Sequence, residues 1–275
     1  MNLIIDKNVI IGTNENRLRE FAKAHKVIIP HTAFLECLIS TDLVIKRLFR
    51  RIDGMIRNGA NVSYQVMQIV EAEGKSLSPC KDIIDYEWSS ALRRDGIMDE
   101  QYISEHEIAR RKDKNEKIAN DLKKMSIKVC NKYRSRHNDK IKELRGKQKN
   151  FNERITDFVN LVNKSDTHDL AIKQFQILIK NPVLFCLSDE WLSWHYMRLL
   201  HIMALEYASK KVKGELPNIE KIENDCMDIE YIVLLFKADG LITNDIKCGF
   251  MAKAAFPEKY VFSSIEEASG IYDKI

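Results

Sequence analysis

The chain has 275 residues, 45% of them apolar, and a formal net charge of +4. That length is ample for a packed core in one large or two small domains, and apolar runs such as IVLLF at 232–236 are far too short to span a bilayer. Six cysteines (37, 80, 130, 186, 226 and 248) form no C-x-x-C pair, which argues against a zinc knuckle or disulfide framework and fits reduced thiols.

The start, MNLIID, lacks the basic stretch and long apolar core of a signal peptide, so a cytoplasmic location is expected. Residues 2–6 (NLIID) and 26–29 (KVII) read as short buried strands, with an amphipathic helix around Arg17–Ala24 between them. Pro30 and Thr32 then suit the opening of a helix that carries Glu36 about one turn in.

From about 41 to 215 the pattern is almost wholly helical. The stretch 104–160 has no proline and one glycine, with apolar positions spaced by three and four, the stripe of an amphipathic helix or helical hairpin. Within it, residues 110–154 carry 17 Lys/Arg against 6 Asp/Glu. That segment is basic and the remainder is net acidic, a split that suits a polyanion for one part and cations for the other. Ser188-Asp189-Glu190 reads as the N-terminus of the helix WLSWHYMRLLHIMALEYA, whose Trp191, Trp194 and Tyr196 read as core anchors.

Near the other end, 229–237 (IEYIVLLFK) reads as a buried helix. It is followed by a strand at 240–243 (GLIT), a helix at 247–255 and a strand at 259–262 (KYVF). Strands alternating with helices at this spacing predict parallel βαβ units and a doubly wound α/β sheet. The expected organisation is an α/β domain formed by 1–40 plus 216–275, interrupted by an all-helical insertion at 41–215.

Four carboxylates fall at informative places. Asp6 ends the first strand and Asp245 ends the strand GLIT, so parallel neighbouring strands would present both at one sheet edge. Glu36 and Asp228, each read near a helix start, would join them there. Each alone reads more readily as a cap or loop residue, and the joint pattern carries the weight. Together they repel one another unless cations intervene, and hard oxygen donors of this kind select Mg²⁺ or Mn²⁺. Asp225 reads as an N-cap of the helix after it or as an outer support of the site, and Asp239 as a turn residue with a short-range backbone bond.

The strand followed by D-x-N (Asp6, Asn8), the stretch IIPHTAFLE with Glu36, and the block D-x-x-D-x-E-Y…ADGLITND together resemble the PIN-domain ribonucleases. The resemblance covers 1–40 and about 220–265. It implies a Rossmann-like sheet and an Mg²⁺- or Mn²⁺-dependent endoribonuclease whose acidic ligands are Asp6, Glu36, Asp228 and Asp245, with Asn8 and Thr243 bonding those carboxylates. The chain departs from the family in placing Asp228 192 positions after Glu36. Long insertions are thermodynamically tolerable, so the departure bears on substrate choice rather than on the chemistry.

The expectation is therefore an RNA-cleaving enzyme, with Lys128, Lys132, Arg134, Arg136 and Lys140 of the basic segment contacting substrate phosphates. A toxin or anti-phage effector would suit this architecture, as would a homodimer or helical partner on the insertion. A nuclease acting on DNA or flapped structures is the enzymatic alternative. A non-catalytic nucleic-acid-binding or assembly module with an idle acidic cluster is the alternative from another class.

Overall fold

The computed structural model describes residues 1–39, 42–96, 113, 117, 120, 124, 150–163, 172, 173, 176, 188–210 and 219–272. Five strands form one sheet: β1 (Asn2–Ile5), β2 (Lys26–Ile29), β3 (Asn61–Val62), β4 (Gly240–Ile242) and β5 (Tyr260–Phe262), in the order β3-β2-β1-β4-β5. All pairings are parallel, with Ile4 opposite Ile28 on one side of β1 and Ile5 opposite Ile242 on the other. β1, β2 and β4 are short, mainly apolar and largely buried, as expected where helices cover both faces of a parallel sheet.

The connections reverse at the centre of this order. β1 leads through α1 (Lys7–Gly12) and α2 (Glu15–Ala24) to β2, whereas β4 leads through α10 (Ile246–Ala255) to β5, in the opposite direction along the sheet. The crevice between the C-terminal ends of β1 and β4 is thus a topological switch point, where open α/β sheets bind ligands. At the opposite, N-terminal end of β4, Gly240 permits close packing between its neighbours. A Cβ at this position would lie 3.0 Å from Leu3 Cδ2 and 3.1 Å from Phe262 Cε2, tighter than side chains ordinarily pack.

β3 lies inside the stretch that the sequence marks as wholly helical, so the sheet is not built from the chain ends alone. A two-residue strand carries no alternation to read. It extends the sheet beyond β2 and is reached through α3 (His31–Ile39) and α4 (Asp42–Arg57). Next come α5 (Val66–Ser76), α6 (Tyr86–Asp95), α7 (Phe151–Val162), α8 (Leu192–Lys210) and α9 (Ile219–Leu234), with α11 (Ile265–Tyr272) after β5.

α8 is the most enclosed helix, buried continuously from Leu192 to Tyr207 and packed against α5, α7 and α9. Its buried positions run all round the helix rather than along one stripe, and they include Ser193, His195, Arg198, His201 and Glu206. Trp191, Trp194 and Tyr196 are buried in this core, as the sequence suggests. The last residue of the basic segment, Arg154, is committed inside the protein. Its guanidinium makes a two-pronged contact with the buried Glu206 carboxylate, both N···O distances 2.8 Å. Lys128, Lys132, Arg134, Arg136 and Lys140 lie outside the described residues. Among the described residues, no helix is long and apolar enough to cross a membrane.

Candidate active site

Asp6 is the first residue after β1, and its position is fixed twice over. Its backbone N–H bonds Ile242 O across the sheet at 2.9 Å, and its Oδ1 caps α1 by accepting from the Asn8 N–H at 3.0 Å. Its Oδ2 accepts from Thr243 Oγ1 at 2.6 Å, and the same hydroxyl accepts from the Asp245 N–H at 3.1 Å. Thr243, buried at the end of β4, therefore ties the two aspartates to one another. Asp245 caps α10, its Oδ1 accepting from the N–H groups of Lys247 and Cys248 at 2.7 and 2.8 Å.

Asn8 supports Asp6 through its backbone alone. Its side chain is exposed.

Glu36 sits on α3 with both carboxylate oxygens engaged. Oε1 accepts from Lys7 Nζ at 3.1 Å and Oε2 accepts from the Tyr231 hydroxyl of α9. A second bond of the same kind, from Thr32 Oγ1 to Glu230, joins α3 to α9 beside it.

Asp228 is not at a helix start. The sequence predicts a helix opening near it, but α9 begins at Ile219 and holds Asp228 well inside. The buried Ile222, Cys226 and Ile229 recur at helical spacing and carry the helix back to that earlier start. Helical spacing also places Asp225 and Tyr231 on the same face as Asp228. Asp225 is likewise helix interior, not an N-cap, and accepts from the Tyr207 hydroxyl at 2.5 Å and from Lys221 Nζ at 3.3 Å. Asp239 does make a backbone bond, but a long-range one, accepting from the Asn2 N–H at 2.6 Å and so pinning the start of β1.

Electrostatics join the four acids. Burial, followed by the charges of Asp245, Asp225, Glu36 and Asp6, pushes the Asp228 carboxyl up to about 8. Asp6 is raised by burial, opposed by the Thr243 and Asn8 bonds and by Lys7. Glu36 is raised by burial against the pull of Lys7 and Tyr231. The buried Cys248 thiol is held well above its ordinary value by burial and by Asp228, Asp6 and Asp245, so it stays protonated beside them. Among the described residues, Asp228 accepts no hydrogen bond, in contrast to Asp6, Glu36 and Asp245. No three described His, Cys, Asp or Glu side chains are gathered closely enough to grip an ion as they stand.

Two residues of the cluster carry no expectation from sequence. Lys7 follows Asp6 directly, and its charge is the signal. Tyr231, one helical step beyond Asp228, stands in the predicted helix 229–237, but the sequence assigns it no role. His31 is the first residue of α3, its ring 5.0 Å from that of Trp88.

Comparison with protein-family models, with curated proteins and with solved structures finds no match for the chain.

Proposed function

We propose that the protein is a PIN-like, metal-dependent endoribonuclease that cleaves RNA at the acidic crevice between β1 and β4. The observation that carries this reading is Asp228: a carboxyl without a hydrogen-bond donor among the described residues, pushed up to about 8 by burial and by surrounding acids. Burial and like charges make such a group costly to ionise, and a cation is the partner that relieves both effects. The donor chemistry fits a hard divalent ion, since carboxylate oxygens and no ionised thiol face the crevice. Side-chain rotation at Asp228, which no described donor restrains, is the adjustment that gripping an ion would require.

Asp6, Asp228 and Asp245 would hold the principal ion, with Glu36 at its border. When bound, Mg²⁺ or Mn²⁺ supplies Lewis-acid polarisation of a phosphoryl oxygen and lowers the pKa of water. The chain's own groups do the positioning. Thr243 fixes the spacing of Asp6 from the Asp245 backbone, and the first amides of α10 hold Asp245 Oδ1. These pre-set contacts reduce the reorganisation left for the reacting complex. The basic stretch 110–154 would bind the flanking phosphates, which makes substrate binding salt-dependent.

The test is cleavage of labelled single-stranded RNA, structured RNA and DNA in Mn²⁺, Mg²⁺ or EDTA, with folded Asp6→Asn and Asp228→Asn beside the wild type. Cutting of RNA that requires the ion and disappears in both variants is expected. Preferential cutting of DNA would transfer the reading to a DNA nuclease. Salt-sensitive binding with no cutting by the wild type would replace it with a binding module.

A further inference from the structure

We propose that the buried junction of α7, α8 and α10 is a binding site for one water molecule, held between His195 Nδ1 and Arg198 Nε. The site lies apart from the acidic crevice and is independent of the metal-dependent reading. α10 begins at the crevice with Asp245 as its cap and ends at this junction with Ala255, about 15 Å on at 1.5 Å per helical residue.

His195 and Arg198 are three positions apart on α8 and so share one face of it. Both meet the same ring. The centroid of Phe256 lies 5.1 Å from that of His195 and 5.2 Å from Arg198 Cζ. Only 5% of His195 and 7% of Arg198 is exposed. The guanidinium is engaged at two of its three nitrogens: Nη2 donates to Ala255 O at 2.9 Å and Nη1 to Asn163 Oδ1 at 3.4 Å. Ala255 is the last residue of α10 and Asn163 the C-cap of α7, and the carbonyl ends of helices favour a cation. The two helix ends thus offset the charge without an anion. Nε is left over, buried and without a hydrogen-bond partner among the described residues.

His195 supplies the complement. Its Nε2 lies 2.9 Å from Asp189 O. A carbonyl can only accept, so Nε2 carries the proton and Nδ1 presents a lone pair. Burial, and then the charge of Arg198, pulls the His195 pKa down to about 4, which keeps the ring neutral at neutral pH. Nδ1 is also buried without a partner among the described residues. One donor and one acceptor, set against the same ring, call for a ligand that accepts from the first and donates to the second. A halide or a phosphate dianion would take the Nε–H but stand against the Nδ1 lone pair. Water satisfies both, and leaving either group unpaired in the interior would be costly.

A crystal structure of the full chain, grown with bromide as the halide, tests the assignment beside the ¹⁵N NMR signals of the histidine rings. The expected result is an oxygen-sized peak within hydrogen-bond distance of both nitrogens, about 2.7–3.2 Å, with no anomalous bromine signal. The His195 spectrum is expected to show a protonated Nε2 and a bare Nδ1. His195→Phe keeps an aromatic ring against Phe236 and Phe256 but removes the acceptor, and is expected to lose the peak.

An anomalous peak at the junction would make it an anion site and overturn the proposal. So would a junction with no density, or a proton on Nδ1 in the wild type. An undiminished peak in His195→Phe would remove the histidine from the site. If that variant does not fold, the wild-type density and tautomer decide alone.

Discussion

At the scale of the residue, the acidic crevice stores an electrostatic cost that pH exposes. The Asp228 carboxyl titrates near 8 in the folded protein, against an ordinary value of 3.8. Between about pH 4 and about pH 8 the folded state therefore keeps a proton that the unfolded chain has released. Stability from this group is fully present below that window, falls as pH rises through it, and is flat above it. Asp228→Asn removes the titration. In metal-free buffer it is expected to raise stability near pH 8 by up to a few kcal/mol and to change it little near pH 4, because each pKa unit corresponds to about 1.4 kcal/mol. Urea unfolding at the two pH values checks this, and an equal effect at both would refute the electrostatic account. Thr243→Val works in the other direction. It removes the donor to Asp6 and the acceptor of the Asp245 N–H inside a buried site, and is expected to cost about 1–3 kcal/mol. Because the lost bond is one that lowers the Asp6 pKa, the acid limb of the rate profile for the proposed cleavage should move to higher pH. An unmoved limb would mean that Asp6 does not need to be ionised for turnover.

At the scale of the element, the helices show where local sequence is informative and where it misleads. α2 and α10 begin on caps supplied by the preceding residue, Asn14 and Asp245, and sequence places both helices nearly correctly. α8 does not begin that way. The local cluster Ser188-Asp189-Glu190 suggests a cap, yet Asp189 accepts from Trp194 Nε1 at 3.1 Å and its carbonyl from His195 Nε2 at 2.9 Å. The N–H groups of Leu192 and Ser193 instead donate to the carboxylate of Glu73 on α5, at 3.1 and 2.8 Å, and Glu73 also takes the Cys80 N–H at 2.8 Å. A carboxylate is well placed against the partial positive charge of a helix start. No pattern in the sequence near α8 could reveal a cap supplied from 119 positions away. Glu73→Gln leaves one acceptor oxygen where two serve buried amides, and is expected to destabilise the protein by about 2–3 kcal/mol, the range for bonds to a charged group. Loss of that size in urea unfolding, without a change in Mn²⁺ affinity, would mark Glu73 as purely structural. The same comparison explains α9. Its acid-rich first turns, IEKIENDCMD, look like capping material, and only the buried Ile222, Cys226 and Ile229 reveal that they are already helix.

At the scale of the whole molecule, the crevice depends on bringing together distant parts of the chain. Leu3 pairs with Gly240, and Asp6 meets Thr243 across 237 positions. The parallel sheet and the edge that carries Asp6 and Asp245 are legible in sequence, because β-branched runs alternate with helical stripes at both chain ends. The contribution of the middle is not, because β3 is two residues long and α8 is buried on all sides, so neither shows amphipathic alternation. This topology makes one further outcome specific. An ion held by Asp6, Asp228 and Asp245 would tie the end of β1 to the end of β4 and to α9, and binding only to the folded state stabilises by about 2.7 kcal/mol at a concentration a hundred times Kd. Mn²⁺ is therefore expected to raise the melting temperature most near pH 8, where Asp228 is ionised, and to do so little in Asp228→Asn. Hydrogen exchange should localise the gain. Amides at the ends of β1 and β4 and in the first turn of α10 should slow, while those of α6, across the sheet beside β3, should follow only the global stabilisation. Protection spread evenly over the chain, or equal stabilisation of Asp228→Asn, would place the ion somewhere other than the switch point.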